Sequence, residues 1–219
     1  MQKQKVLILF GRISRTVRSL VIPLERKIRE RRLNRFQTLV ALVLSARTRD
    51  ETTAAVTESL VRAGIRTAKD LAELPIPRLE KLIRRCGFYH EKARHLHGLS
   101  LIVSKQGLPA DLEGLLELPG VGRKVGNLYL SHCLGADTIA VDIHVFRISN
   151  RIFFHPHPSR NPEETERRLE KIFPAGRRSA INSVLVKFGQ NICLPRNPLC
   201  PECPVKTDCP SAQIGPRRG

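Results

Sequence analysis

Four cysteines close to the C-terminus, Cys193, Cys200, Cys203 and Cys209, fall in the pattern C-x6-C-x2-C-x5-C. Prolines crowd that loop and few apolar residues are available to hold it by burial, so a bound centre is expected to supply its order. Zinc usually takes its ligands in two close pairs, each on a tight turn, and only Cys200 and Cys203 form such a pair. Four thiolates on unequal loops can instead wrap a cubane iron–sulfur cluster, which is larger than one ion and needs wider separation. Spacing alone favours the cluster, leaves zinc open and makes disulfides the poorest fit. Cys86 and Cys133 sit among apolar neighbours and read as buried core thiols.

The chain has 219 residues, 41% of them hydrophobic, enough for one domain or two small ones with a real core. Its charge is the unusual quantity. Thirty-eight Lys and Arg face 20 Asp and Glu, a formal net charge of +18. A surplus of that size repels itself unless a polyanion neutralises it, and nucleic acid is the usual partner. An arginine-rich composition could raise Arg at the expense of Lys, but it would not remove the acids. No apolar run approaches the roughly 18 residues that span a bilayer, so no membrane is expected. Val6 to Phe10 is too short for a signal-peptide core, and Arg12 follows quickly. Residues 1–24 lack acids, a weak likeness to an organelle transit peptide. Metal-type cysteines without an export signal point to a reducing, intracellular compartment, the nucleoid-associated cytoplasm in a prokaryote.

From Leu20 to about Lys187 the chain reads as helix nearly throughout. Phe36, Leu39, Val40, Leu42, Val43 and Leu44 make a densely apolar helix that should be central to a core. Thr52 to Ala63, Leu79 to Cys86 and Lys92 to Lys105 repeat apolar residues at helical spacing. Gly64, Gly87, Gly107 and Gly114 are the expected stops or turns between them. No alternating run is long or β-branched enough to argue for a sheet. Between Lys3 and Arg35 stand 11 basic residues against only Glu25 and Glu30. They read either as a solvated helix face or as an arm adding salt-sensitive affinity.

Leu118-Pro119-Gly120-Val121-Gly122-Arg123-Lys124 lies between two helical stretches. Pro119 and Gly120 should end one helix, and Gly122 should let the chain turn sharply and approach a partner with no Cβ in the way. The next helix then begins with its free amides outward, a ready anion site. A G-x-G alone is weak and also fits a plain helix–helix turn. In a chain of charge +18 it reads as a helix-hairpin-helix that grips a DNA phosphate.

These residues together resemble the endonuclease III family, within the helix-hairpin-helix DNA glycosylases. The resemblance covers roughly Phe36 to Cys209 and rests on four motifs in the family's order. They are the apolar helix ending Leu42-Val43-Leu44-Ser45-Ala46, the Leu118 to Lys124 loop, Ala140-Val141-Asp142-Ile143-His144-Val145-Phe146-Arg147, and the cysteine loop. The fold it implies is all-α, with two helical domains flanking a DNA-binding groove. Residues 28–136 would form a six-helix domain with the hairpin. The basic segment 1–27 would join the C-terminal helices and cluster loop of residues 137–219. A [4Fe–4S] cluster is implied on Cys193, Cys200, Cys203 and Cys209.

The activity implied is that of a bifunctional DNA glycosylase and abasic-site lyase of base excision repair. Its substrate would be double-stranded DNA containing oxidised pyrimidines or abasic sites, and its working state a monomer. The family's chemistry places Lys124 as nucleophile, forming a Schiff base with the sugar that permits β-elimination on the 3′ side. An amine can both displace a base and become the iminium electron sink that strand cleavage needs; a hydroxyl cannot. Asp142 precedes an amphipathic helix, suits an N-cap, and matches the family's catalytic aspartate. His144 follows the pattern too, with a structural role at least as well supported. Gly120, Gly122 and Arg123 would meet the DNA backbone.

Flipping a base leaves a hole in the duplex. By position, Arg47 and Phe88 are the candidates to fill it, and Ser45 and Asp50 to line the entrance or base pocket. Phe88 also reads as an ordinary turn-packing aromatic. Many relatives carry Gln where this chain has Arg47 and Thr where it has Ile143, which bears on opposite-base preference rather than on the reaction. Arg196 and Lys206 make the cysteine loop look like a staple that presents cations to DNA. The competing readings are a mismatch-specific thymine/uracil or adenine glycosylase, which would carry Tyr or Ser at the Lys124 position, and a non-catalytic DNA-binding iron–sulfur protein. The latter would need neither Lys124 nor Asp142.

Overall fold

The computed structural model describes residues 2–30 and 33–212. Two of the eleven basic residues counted above, Arg31 and Arg32, lie outside the described residues, as do residues 213–219 of the expected C-terminal segment. Every regular element among the described residues is helical. The chain forms two compact units, one continuous from Ile22 to Ala136, the other combining Met1–Val21 with Asp137–Gly219.

The continuous unit contains α2 (Pro23–Arg29), α3 (Arg35–Ser45), α4 (Asp50–Arg62), α5 (Ala68–Ala72), α6 (Ile76–Ile83), α7 (Tyr89–Gln106), α8 (Leu112–Leu116) and α9 (Arg123–Leu134). Two of these, α5 and α8, are only five residues long, which leaves six longer helices. Nine of the eleven residues of α3 are buried, so this helix is surrounded; it packs on α4, α7 and α9. Its start is closed by a reciprocal cap in which the Asn34 side chain accepts from the Gln37 amide and the Gln37 side chain accepts from the Asn34 amide. Leu24 and Ile28 of α2 are buried in the same core. The unit boundary therefore falls before Ile22 rather than between residues 27 and 28.

Gly64 and Gly107 stand past the ends of α4 and α7, where stops were expected. Gly114 is different. It lies inside α8, where an added Cβ would come within 3.0 Å of Pro109. Close packing, not helix termination, explains glycine there.

The second unit contains α1 (Lys3–Thr16), α10 (Ile143–Ile148), a π-helical turn (Ser149–Phe153), α11 (Pro162–Ile172), α12 (Ala180–Asn191) and a 3-10 turn at Cys200–Glu202. The basic N-terminal stretch is not a loose arm over α1, because Val6, Leu9 and Ile13 are fully buried against α11 and α12. Each such side chain contributes about 1.5–3 kcal/mol. Lys5 and Arg12 pair with Asp208 of the cysteine loop, at 3.2 and 2.9 Å.

Asp137 fixes the approach to α12 by accepting from the backbone amides of Gly176, Arg178 and Ser179 at 2.6–2.9 Å. Burial pushes its carboxyl up, but those three amides together hold it below the ordinary aspartate value. A depressed folded-state value adds stability that is complete above the unfolded value, near pH 4, and is lost as pH falls through the folded one. Asp137→Ala should therefore cost roughly 1–2 kcal/mol at neutral pH, allowing for partial exposure. In urea titrations the gap between the two proteins should close below about pH 4. A gap that stays constant to pH 2 would show that the carboxylate charge is irrelevant.

Candidate functional site

The hairpin between α8 and α9 is built from buried Leu118 and Val121, whose backbones close a turn with Val121 N donating to Leu118 O at 3.0 Å. Gly120 occupies the left-handed region at φ 77, and an added Cβ would come within 2.8 Å of His95 on α7. That position is where the sharp turn resides. Gly122, expected to provide it, is extended at φ −91 and serves as the N-cap of α9. A Cβ on Gly122 would meet nothing within 4 Å, so its exposed backbone is open to a partner. No side chain caps α9, and its first amides point out of the helix at its positive dipole end. Arg123 is exposed there, and Lys124 is half-buried in the first turn.

Asp142 belongs to the other unit. Its carboxylate caps α10, accepting from the amides of His144 at 2.9 Å and Val145 at 2.8 Å. Both bonds use Oδ1, which fixes the side chain while Oδ2 takes no part in the cap. The neighbouring Ile143 is an exposed apolar side chain. His144 lies 3.2 Å from the Arg147 guanidinium, a packed position that matches the structural reading.

Arg47 and Phe88 come together. The Arg47 guanidinium carbon lies 5.1 Å from the Phe88 ring centroid, and Phe88 is 56% exposed, too open for an ordinary packing aromatic. Both residues have left-handed backbones, φ 50 for Arg47 and φ 57 for Phe88, which costs about 1–2 kcal/mol each for residues with a Cβ. Gly87 allows the close approach, since a Cβ there would lie 2.8 Å from the Arg47 carbonyl oxygen. Ser45 donates to Leu42 O at 2.7 Å, and Asp50 opens α4.

Beneath this pair is a residue that periodicity concealed. Lys92 is 6% exposed, and its ammonium donates to Leu44 O at 2.8 Å, to Ala46 O, and to Thr48 Oγ1 at 2.8 Å. In the sequence it is one more residue of an amphipathic helix. Its spacing from Phe88, one helical turn on, was the available signal.

The four cysteines line one cavity of about 140 Å³, together with Arg151, Lys206 and apolar residues such as Ile192 and Leu199. All are free thiols, which removes the disulfide reading. Four thiols lining one cavity of that size can hold a multinuclear centre. Burial first, and then the neighbouring thiols, push Cys203 and Cys209 up, so a cationic centre is what would draw the protons off. The residues present thus fit an iron–sulfur cluster.

Two arginines on one face hold the start of this loop. Arg147 donates to Gly189 O and Cys193 O, at 3.2 and 2.8 Å. Arg151 donates to Leu194 O and Pro195 O, at 2.8 and 2.9 Å, and approaches Cys193 Sγ at 3.7 Å. Neither was expected as a loop anchor; their spacing, one helical turn apart, is the only trace in the sequence. Lys206 is tied to its own loop. It donates to Pro201 O at 3.0 Å within the loop, and both it and Arg196 are exposed.

The comparisons agree with this geometry. Residues 40–175 match the family model described as HhH-GPD superfamily base excision DNA repair protein. Endonuclease III of Thermotoga maritima is 43% identical over 177 residues, covering 80% of this chain and 82% of that one. A non-covalent endonuclease III–DNA complex superposes with a TM-score of 0.87 at 31% identity, covering 97% of each chain. A trapped endonuclease III–DNA covalent intermediate, an estranged-adenine complex, gives 0.86 at 31% identity, again covering 97% of each chain.

Proposed function

This chain belongs to the endonuclease III family of HhH-GPD base excision repair proteins, and from that membership we propose that it is a bifunctional enzyme that excises oxidised pyrimidines through a covalent bond to Lys124. Its class is DNA glycosylase with abasic-site lyase activity, and DNA is its substrate. The observation that carries the finer reading is a lysine in the first turn of α9, directly after a glycine hairpin whose outward amides suit a phosphate.

In this mechanism the hairpin backbone of Gly120 and Gly122, with Arg123, holds the strand by its phosphates. Lys124 Nζ forms a bond to the sugar C1′ as the C1′–N bond to the base breaks, and the base departs with a proton. Opening of the sugar ring leaves an iminium, which accepts the electron pair released when a C2′ proton is removed. The 3′ phosphate then leaves by β-elimination. Asp142, held by its cap to α10, stabilises the positive charge that develops on the sugar and accepts a proton from the nucleophile. Arg47 and Phe88 occupy the gap in the stack, with Ser45 and Asp50 at the entrance.

Cys193, Cys200, Cys203 and Cys209 would hold a [4Fe–4S] cluster. When bound, it supplies order to a proline-rich loop and no chemistry on the sugar. Purified protein should then show a visible absorption band at roughly 400 nm, with iron and acid-labile sulfide. A colourless protein carrying stoichiometric zinc would reverse this assignment without touching Lys124.

The test of the catalytic reading is borohydride reduction during reaction with duplexes containing thymine glycol or an abasic site. A covalent protein–DNA adduct is expected with both. Release of base without any adduct would instead favour a monofunctional, mismatch-type glycosylase.

A further inference from the structure

We propose that Lys92 is the positioning residue for the Arg47–Phe88 pair, its buried ammonium tying the turn that carries Arg47 to the helix that carries Phe88. The inference rests on the reading of that pair as the group that fills the space left by a flipped nucleotide.

The ammonium has three N–H donors and meets three acceptors: Leu44 O and Thr48 Oγ1 at 2.8 Å, and Ala46 O. Those acceptors bracket Arg47 on both sides. Lys92 also lies one helical turn beyond Phe88, and its own backbone amide donates to Phe88 O at 3.0 Å. One residue thus reaches both halves of the pair.

A buried ammonium is a costly way to finish a helix, since solvent could satisfy the last carbonyls of α3. Burial draws Lys92 below the ordinary lysine value, and only Cys86 and Glu91 pull it back. What the cation adds is geometry, because it draws three acceptors toward one point. The need is visible in the backbone. Arg47 at φ 50 and Phe88 at φ 57 are both left-handed, and such conformations persist only where the surroundings over-determine them. The close approach of the Arg47 carbonyl to Gly87 has the same requirement. A pair formed in advance enters the stack without first being ordered.

The test uses full-length protein and a duplex with a tetrahydrofuran abasic analogue opposite 2-aminopurine, whose fluorescence reports stacking. Wild type should change that fluorescence on binding. With Lys92→Met, the change at saturating protein should fall to roughly half or less of the wild-type value. A purely structural role would lower the folded fraction and shift the titration midpoint, but leave the plateau where it was. Thr48→Val, which removes one of the three acceptors, should lower the plateau in the same direction and by less. It decides the question if Lys92→Met does not fold. A wild-type plateau in the folded variants overturns the proposal. Binding by wild type with no fluorescence change would overturn the reading of Arg47 and Phe88, and the proposal with it. Neither outcome bears on Lys124, which is read separately from the borohydride adduct.

Discussion

Lys124→Ala should abolish the borohydride-trapped adduct and lower strand cleavage by about a thousandfold or more, because no other group takes over as the electron sink. The reason lies in the residue type. An amine can displace the base and then carry the positive iminium through which β-elimination proceeds, and a hydroxyl or water cannot. Stability should hardly change, since Lys124 is half-buried in the first turn of α9 and alanine is a good helix former. Affinity for an abasic-analogue duplex should survive in large part, as the proposed phosphate contacts come from the backbone amides around Gly120 and Gly122. The measurement is single-turnover cleavage with gel detection of the adduct, beside a binding titration. An adduct of undiminished yield in Lys124→Ala would move the nucleophile elsewhere.

The second large effect separates two jobs held by one carboxylate. Asp142 caps α10, and asparagine caps a helix about as well as aspartate does. Asp142→Asn should therefore keep the wild-type melting temperature to within a few degrees while lowering the single-turnover rate by about 10²–10³-fold. Asp142→Ala should lose the same activity and, in addition, about 1 kcal/mol of stability. The comparison of these two variants carries the information. A fully active Asp142→Asn would leave capping as the residue's whole role.

How much of this could be read from the amino acids alone depends on how far each interaction reaches along the chain. The hairpin and the cap of Asp142 are formed by neighbours within a few residues, so their types and order disclosed them. The centrality of α3 was legible because apolar residues fill nearly every position from Phe36 to Leu44. Lys92 was not legible. Its acceptors, Leu44, Ala46 and Thr48, lie on a different helix end and meet it only after α3 and α7 pack. Arg147 and Arg151 were hidden for the same reason, since the carbonyls they bind stand more than forty residues downstream. The two glycine differences teach a narrower lesson. Gly114 is small for the sake of Pro109, and Gly120 rather than Gly122 takes the left-handed turn, facts set by neighbours across space.

The ion pairs of Lys5 and Arg12 with Asp208 join an N-terminal helix to a loop near the other end of the sequence. During synthesis the segment from Ile22 to Ala136 emerges complete and can collapse by itself. Helix α1 has no such option. Its buried face of Val6, Leu9 and Ile13 must wait for α11 and α12, on the order of ten seconds later at ordinary ribosomal speeds. The basic residues that stud this helix keep the waiting segment soluble, and docking of the cysteine loop on α1 through Asp208 becomes the closing step of assembly.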